Sequence, residues 1–279
     1  MNIYVFIFLF FSGLFSQIFG SQTSNRIRQD ITSREQLVLE INNYRDEEEL
    51  LQFIASTMET HLIPGLSVSI VKDDNIVWEK QLGYANIDDD IFVDENTMFI
   101  LSSISKTVTA TALMQLFENG LFELDDDIDD YLPFNVNHPG YPLVPITFKM
   151  LLTHSSGIKD NWNVMTYYDG DPQLDLSYYL YQYLTPEGDF YNSNLNFTTS
   201  MPGTNHTYTN NGAALIGLLV EEISNQAFND YCSENIFEPL SMNNAFWFLS
   251  EIDNLDQIAS PYQVTAGSGD SCYIIGCGI

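Results

Sequence analysis

Phe99-Ile100-Leu101-Ser102-Ser103-Ile104-Ser105-Lys106-Thr107 places a serine and a lysine three positions apart at the head of an apolar-periodic run. Residues three apart on a helix share a face, so the amine lies beside the hydroxyl. A serine hydroxyl is a weak nucleophile until a neighbouring base takes its proton, and this spacing supplies one. The backbone amides at a helix start also favour negative charge developing next to Ser103. The spacing predicts a helix over Ser103–Asn119, with Ile104, Val108, Leu113, Leu116 and Phe117 on its buried side and Gly120 ending it.

Working outward, Tyr208-Thr209-Asn210 forms a second polar cluster, bracketed by Pro202-Gly203-Thr204 and Asn211-Gly212. A tyrosine and an asparagine delivered from a second segment complete a proton relay and hold a substrate carbonyl. An apolar helix over Ala213–Ser224 follows, then a shorter one around Phe228 to Ile236. Upstream of the serine, Leu50, Leu51, Ile54 and Met58 predict an amphipathic helix over Glu47–Thr60. Leu66–Val71 and Ile76–Leu82 read as strands of a hairpin turning at Asp73-Asp74-Asn75. Between the two clusters, Ile146–Leu152 reads as a helix broken by the loop Thr153-His154-Ser155-Ser156-Gly157, and residues 160–200 read as irregular.

The 279 residues carry a net charge of −29, and beyond Lys159 there are 15 acidic residues but no Lys or Arg. Such a surface repels phosphate backbones, which excludes nucleic acid as a partner. Residues 3–19 are almost wholly apolar and lead to Gly20-Ser21, the pattern of a secretory signal peptide over 1–20. Residues 21–46 then form a polar linker. An uncleaved membrane anchor is the alternative reading of the same run, and the only route to a membrane. Both place the chain outside the cytosol, secreted or in the lumen of the secretory pathway, with Asn196-Phe-Thr and Asn205-His-Thr as glycan acceptors. Cys232, Cys272 and Cys277 match no metal spacing, and Cys272–Cys277 is geometrically open to a small-loop disulfide.

Competing chemistries lack parts. His154 invites a Ser-His-Asp triad, but no Gly-x-Ser-x-Gly elbow exists, and a loop histidine reads as a local hydrogen-bonding residue. Four histidines and scattered cysteines give no zinc ligand set. Asp125, Asp126, Asp127, Asp129 and Asp130 miss the calcium-loop pattern with its glycine and terminal glutamate. No metal and no organic cofactor is expected.

Phe99 to Thr107 resembles the nucleophile segment of the serine β-lactamase and penicillin-binding-protein family, above all the class C β-lactamases, D-alanyl-D-alanine carboxypeptidases and related esterases. Ile146 to Ile158 is similar to the family's loop segment, and Pro202 through Gly212 to its second catalytic motif. The hairpin from Pro64 to Tyr84 and the stretch from Leu124 to Pro133 fit in order, so the likeness spans roughly residues 45–262. It implies an α/β (α+β) fold over residues 47–279: an antiparallel sheet with flanking helices plus a mostly helical subdomain. It also implies acyl-enzyme chemistry on an ester or amide of a small molecule or peptide. Ser103 is the implied nucleophile, Lys106 its proton acceptor or that acceptor's partner, Tyr208 the general base, and Asn210 the residue fixing lysine and substrate amide. The family's third motif, a basic residue followed closely by Gly on a late strand, has no basic match; Thr265-Ala266-Gly267 comes nearest. The expected sheet therefore lacks its last strands, which leaves Leu66–Val71 with an open edge. Losing one oxyanion donor from that strand costs about a hundred- to a thousandfold in rate. A catalytically impaired binding protein, or a fragment, is the alternative.

Overall fold

The computed structural model describes the backbone of residues 3–8, 46–165, 170–264 and 272–274, and the side chains of residues 46–165 and 170–262. The chain divides into two compact units, one comprising Met1–Ile100 with Asn254–Gly276, the other built mainly on Leu101–Asp253.

The first unit is a sheet with a helix against it. Strands β1 (Ile3–Phe8), β2 (Gly65–Lys72), β3 (Asn75–Asn86) and β4 (Ile91–Phe92) run antiparallel in that order. Asp73 and Asp74 take φ of 50° and 61°, the left-handed pair a two-residue hairpin turn needs, and aspartate tolerates it. β3 runs beyond the expected strand at both ends. The edge of β2 expected to be open is covered: Ile3–Phe8 pairs along it, Ile3 opposite Lys72 and Phe8 opposite Ser67. An all-apolar run satisfies a sheet edge as readily as it satisfies a leader, because neither requires a period. The proposed processing of residues 1–20 and the linker over 21–46 lie almost wholly outside the described residues.

Helix α1 (Glu47–His61) starts on Asp46, whose carboxylate accepts from the Glu49 amide at 2.9 Å, and three glutamates fill its positive first turn. Its inner face joins a cluster of Met58, Ile63, Leu66 and Val68, with Ile54, Trp78 and Leu82 packed around it. β2 and β3 meet closely at their glycines, where a Cβ on Gly83 would lie 2.2 Å from the Pro64 carbonyl oxygen. Short strands β5 (Tyr262–Val264) and β6 (Cys272–Ile274) pair antiparallel. The segment before β5 adds a parallel bridge, Ile258 to Met98.

The second unit is helical. A 3-10 turn over Ser102–Ile104 leads into α2 (Ser105–Glu118), and α3 (Phe148–Leu152), α4 (Leu176–Leu184), α5 (Asn210–Ser224) and α6 (Phe228–Cys232) follow. α2 packs on α5, and Ala112, Leu113 and Leu116 of the first share one buried cluster with Leu215, Leu218 and Leu219 of the second, all nearly or wholly buried. Each such leucine contributes about 1.5–3 kcal/mol of burial free energy. Stacked Phe122 and Phe148, 4.0 Å between centroids, close the same core from the loop side.

Five expectations are corrected here. Ile104, expected inside, is 48% exposed, because the tighter 3-10 turn rotates it off the α-helical stripe. The helix expected over Ile146–Leu152 is one turn, since Ile146 instead pairs its carbonyl with Ile128 and Thr147 caps the turn. The stretch 160–200 contains α4, capped by Asp175 and buried through Leu180, Tyr183 and Leu184. α5 begins at Asn210 rather than Ala213, and α6 gives way after Cys232 to a π-turn over Ser233–Phe237.

The remaining sequence features take these places. Asn196 is fully buried, its amide donating to the Tyr183 and Phe190 carbonyls at 2.8 and 2.9 Å, so the folded unit has no room for a glycan there; Asn205 is exposed. The aspartates of 125–130 serve the local chain: Asp127 caps a 3-10 turn, Asp129 accepts from the Val136 amide, and Asp126 accepts from the Tyr131 hydroxyl. Among the described residues no helix is long and apolar enough to cross a membrane. Cys232 is buried as a free thiol, while the pairing considered for Cys272 and Cys277, and the Thr265-Ala266-Gly267 stretch, lie outside the residues whose side chains are described.

Candidate active site

All four residues singled out by sequence lie in the helical unit, and the structure brings them together. Ser103 sits in the 3-10 turn and Lys106 in the first turn of α2. Ser102 takes a φ of 49°, a left-handed conformation that turns the chain sharply just before the serine. Such a conformation costs a non-glycine residue about 1–3 kcal/mol and is held by its surroundings. Tyr208 and Asn210 flank Thr209, which caps α5 by accepting from the Gly212 amide at 3.1 Å.

The Tyr208 hydroxyl donates to Ser103 Oγ at 2.8 Å. Lys106 Nζ donates to the same oxygen at 3.4 Å and to Asn210 Oδ1 at 2.7 Å. The first of these amine contacts is long and weak, the second short and charge-assisted. The amine also lies 5.0 Å from the centroid of the Tyr208 ring, within cation–π range. The serine oxygen is thus in contact with both groups able to relieve it of a proton.

Asp160 completes the site, and the sequence reading did not single it out. Its carboxylate accepts from the Thr209 hydroxyl at 2.9 Å, the Asn210 amide N–H at 2.9 and 3.0 Å, and the Asn210 side-chain Nδ2 at 2.8 Å. It also accepts from the Asn211 backbone and side-chain nitrogens, both at 3.1 Å. These donors stand at the N-terminus of a fifteen-residue helix, where a carboxylate is favoured by the helix dipole. The sequence signal was faint, one acid just past the Thr153–Gly157 loop.

His154, read from sequence as a hydrogen-bonding loop residue, does hold the tyrosine segment. Its carbonyl accepts from the Thr207 amide at 2.7 Å, its Nδ1 accepts from the Thr209 amide at 3.4 Å, and its ring lies 4.7 Å from that of Tyr208. Burial, helped by the nearby His206 and Lys106 charges, pushes its pKa below the ordinary histidine value, against a smaller opposing pull from Asp160. The ring therefore stands neutral at neutral pH, as its accepting role requires. Among the described residues no group of three or more His, Cys, Asp or Glu is placed to hold a metal ion.

Comparison with known proteins places the chain in one family. The sequence model of the family described as Beta-lactamase matches residues 50–270. Over 210 residues the chain is 25% identical to Protein flp of Staphylococcus aureus strain N315, covering 71% of this chain and 38% of that one. It is 26% identical over 203 residues to Penicillin-binding protein 4* of Bacillus subtilis strain 168, covering 69% of this chain and 40% of that one. Among solved structures, the octameric penicillin-binding protein homologue from Pyrococcus abyssi superposes with a TM-score of 0.63 at 27% identity, over 82% of this chain and 50% of that chain. The matched part of this chain spans well under half the length of those two curated relatives.

Proposed function

Because the chain belongs to the Beta-lactamase family, we propose that it is a serine hydrolase that cleaves an ester or amide through an acyl-enzyme on Ser103. The observation that carries this reading is the convergence of Tyr208 and Lys106 on one serine oxygen, at 2.8 and 3.4 Å. In the resting site Tyr208 donates its proton toward Ser103. Acylation runs that contact in the opposite sense: the phenol first releases its own proton to solvent, and its oxygen then receives the serine proton. As the Oγ–carbon bond forms, Lys106 holds the charge developing between the two oxygens. The proton then passes from Tyr208 to the leaving alcohol or amine as the old carbonyl–oxygen or carbonyl–nitrogen bond breaks. Water hydrolyses the ester on Ser103 by the same steps reversed. Asn210, on the ammonium at 2.7 Å, keeps Lys106 turned toward the serine. No metal or organic cofactor enters this chemistry, and lactam, peptide and ester substrates all suit it.

We further propose that the chain enters the secretory pathway, which the apolar residues 3–19 and the exposed Asn205 in an acceptor sequence support. The test of the hydrolase reading is covalent capture by a fluorescent fluorophosphonate, with a fluorescent penicillin run in parallel. Wild-type protein is expected to take up a probe, and Ser103→Ala, verified as folded, is expected not to. Absence of capture on folded wild-type protein favours a non-catalytic binding protein and removes the reading.

A further inference from the structure

We propose that Asp160 is a positioning residue that orients the Asn210 amide and, through it, Lys106. The inference rests on the serine-hydrolase reading for its purpose and on hydrogen-bond geometry for its substance.

An asparagine side chain has two chemically opposite ends, and Asn210 has a charged partner on each. Its Nδ2 donates to Asp160 at 2.8 Å, and its Oδ1 accepts from Lys106 Nζ at 2.7 Å. Turning the amide over would set N–H groups against an ammonium and a carbonyl oxygen against a carboxylate, two repulsions in place of two attractions. The carboxylate therefore fixes which end of the amide faces the lysine. Asp160 is itself immobilised by donors from Thr209, Asn210 and Asn211, so its position follows the start of α5. Among the described residues no ion pair reaches it. Its charge is balanced by these donors and the helix end, and its influence on the lysine passes along the amide. A neutral Asp160→Asn side chain is nearly isosteric but offers one acceptor oxygen where two served, and turns N–H groups toward donors. The amide at 210 then loses its fixed sense.

A double-mutant cycle on the rate of fluorophosphonate capture tests this, using Asp160→Asn, Asn210→Ala and the double variant, each checked for folding by thermal melting. Asp160→Asn is expected to slow capture about tenfold or more, the scale of a hydrogen bond to a charged group. If Asp160 acts through Asn210, the double variant is no slower than Asn210→Ala alone. Multiplying effects, or an unchanged rate in Asp160→Asn, overturn the proposal, since a purely structural carboxylate gives no such coupling. A second readout stands apart from turnover: trace acetylation by acetic anhydride at one fixed pH, read by mass spectrometry as Lys106 relative to Lys149. Deprived of its carbonyl acceptor, Lys106 is expected to react about tenfold faster in Asp160→Asn than in wild type, on the same scale. An unchanged ratio overturns the proposal. Should wild type take no probe at all, the hydrolase reading falls, and the acetylation ratio still decides whether Asp160 governs the amine.

Discussion

Replacing Thr209 with valine removes a hydroxyl and nearly preserves the side-chain shape, which separates the polar from the packing role of one buried residue. Thr209 is 1% exposed. Its oxygen accepts from the Gly212 amide at 3.1 Å and donates to Asp160 at 2.9 Å. Loss of the cap costs about 1 kcal/mol. Loss of a donor to a carboxylate costs about 1.5 kcal/mol, taken at the low end because Asp160 keeps its other donors. Valine is therefore expected to destabilise the helical unit by about 2.5 kcal/mol. Serine at the same place keeps both hydrogen bonds and loses one buried methyl, a cost of about 1 kcal/mol. Urea unfolding followed by circular dichroism gives the two values. Hydrogen exchange across residues 210–224 shows whether the loss is seated in α5. The reasoning fails if Thr209→Val costs no more than Thr209→Ser, because the packing loss would then outweigh both polar contacts.

Tyr208→Phe is expected to slow probe capture on Ser103 by about a hundredfold or more, the range of a lost general base. The same change should leave stability within about 0.5 kcal/mol, since the ring is partly exposed and the removed group touches the serine; a stability loss without a rate loss contradicts the assignment. Acidification gives a second check. Burial lowers the pKa of both His138 and His154 from 6.5, so the unfolded chain binds more protons, and stability is held above about pH 6.5 and lost as pH falls toward the depressed folded values. A melting temperature that rises between pH 7.5 and 5.5, or a His154→Gln variant with undiminished acid sensitivity, counts against this. Expressed through a eukaryotic secretory pathway, the protein is expected to lose its deglycosylation-sensitive gel shift in Asn205→Gln and keep it in Asn196→Gln. The reverse pattern would place the glycan on the buried residue and contradict the fold around it.

What the sequence conveyed and what it withheld divide by the range of the interaction. Ser103 and Lys106 are three residues apart, and local helical geometry alone brings them together. Tyr208, Thr209 and Asn210 are contiguous, so recognising the cluster did not require knowing which residue faced which neighbour. Helix α4 was missed because Leu176–Leu184 contains four tyrosines, and aromatic residues lose rotamer freedom in a helix. Burial of Leu180, Tyr183 and Leu184 overrides that weak preference, and burial is set by the rest of the unit. Asp160 was missed for a related reason. An acid fifty residues before Asn210 gains meaning only once the Thr153–Gly157 loop and the start of α5 are folded onto one another. At that point the carboxylate finds six nitrogen and oxygen contacts already aimed at it from the start of α5. Helix ends carry unsatisfied donors wherever they occur. Here the first of those donors belongs to the same asparagine that holds the lysine, so satisfying the fold and aiming the amine are one act.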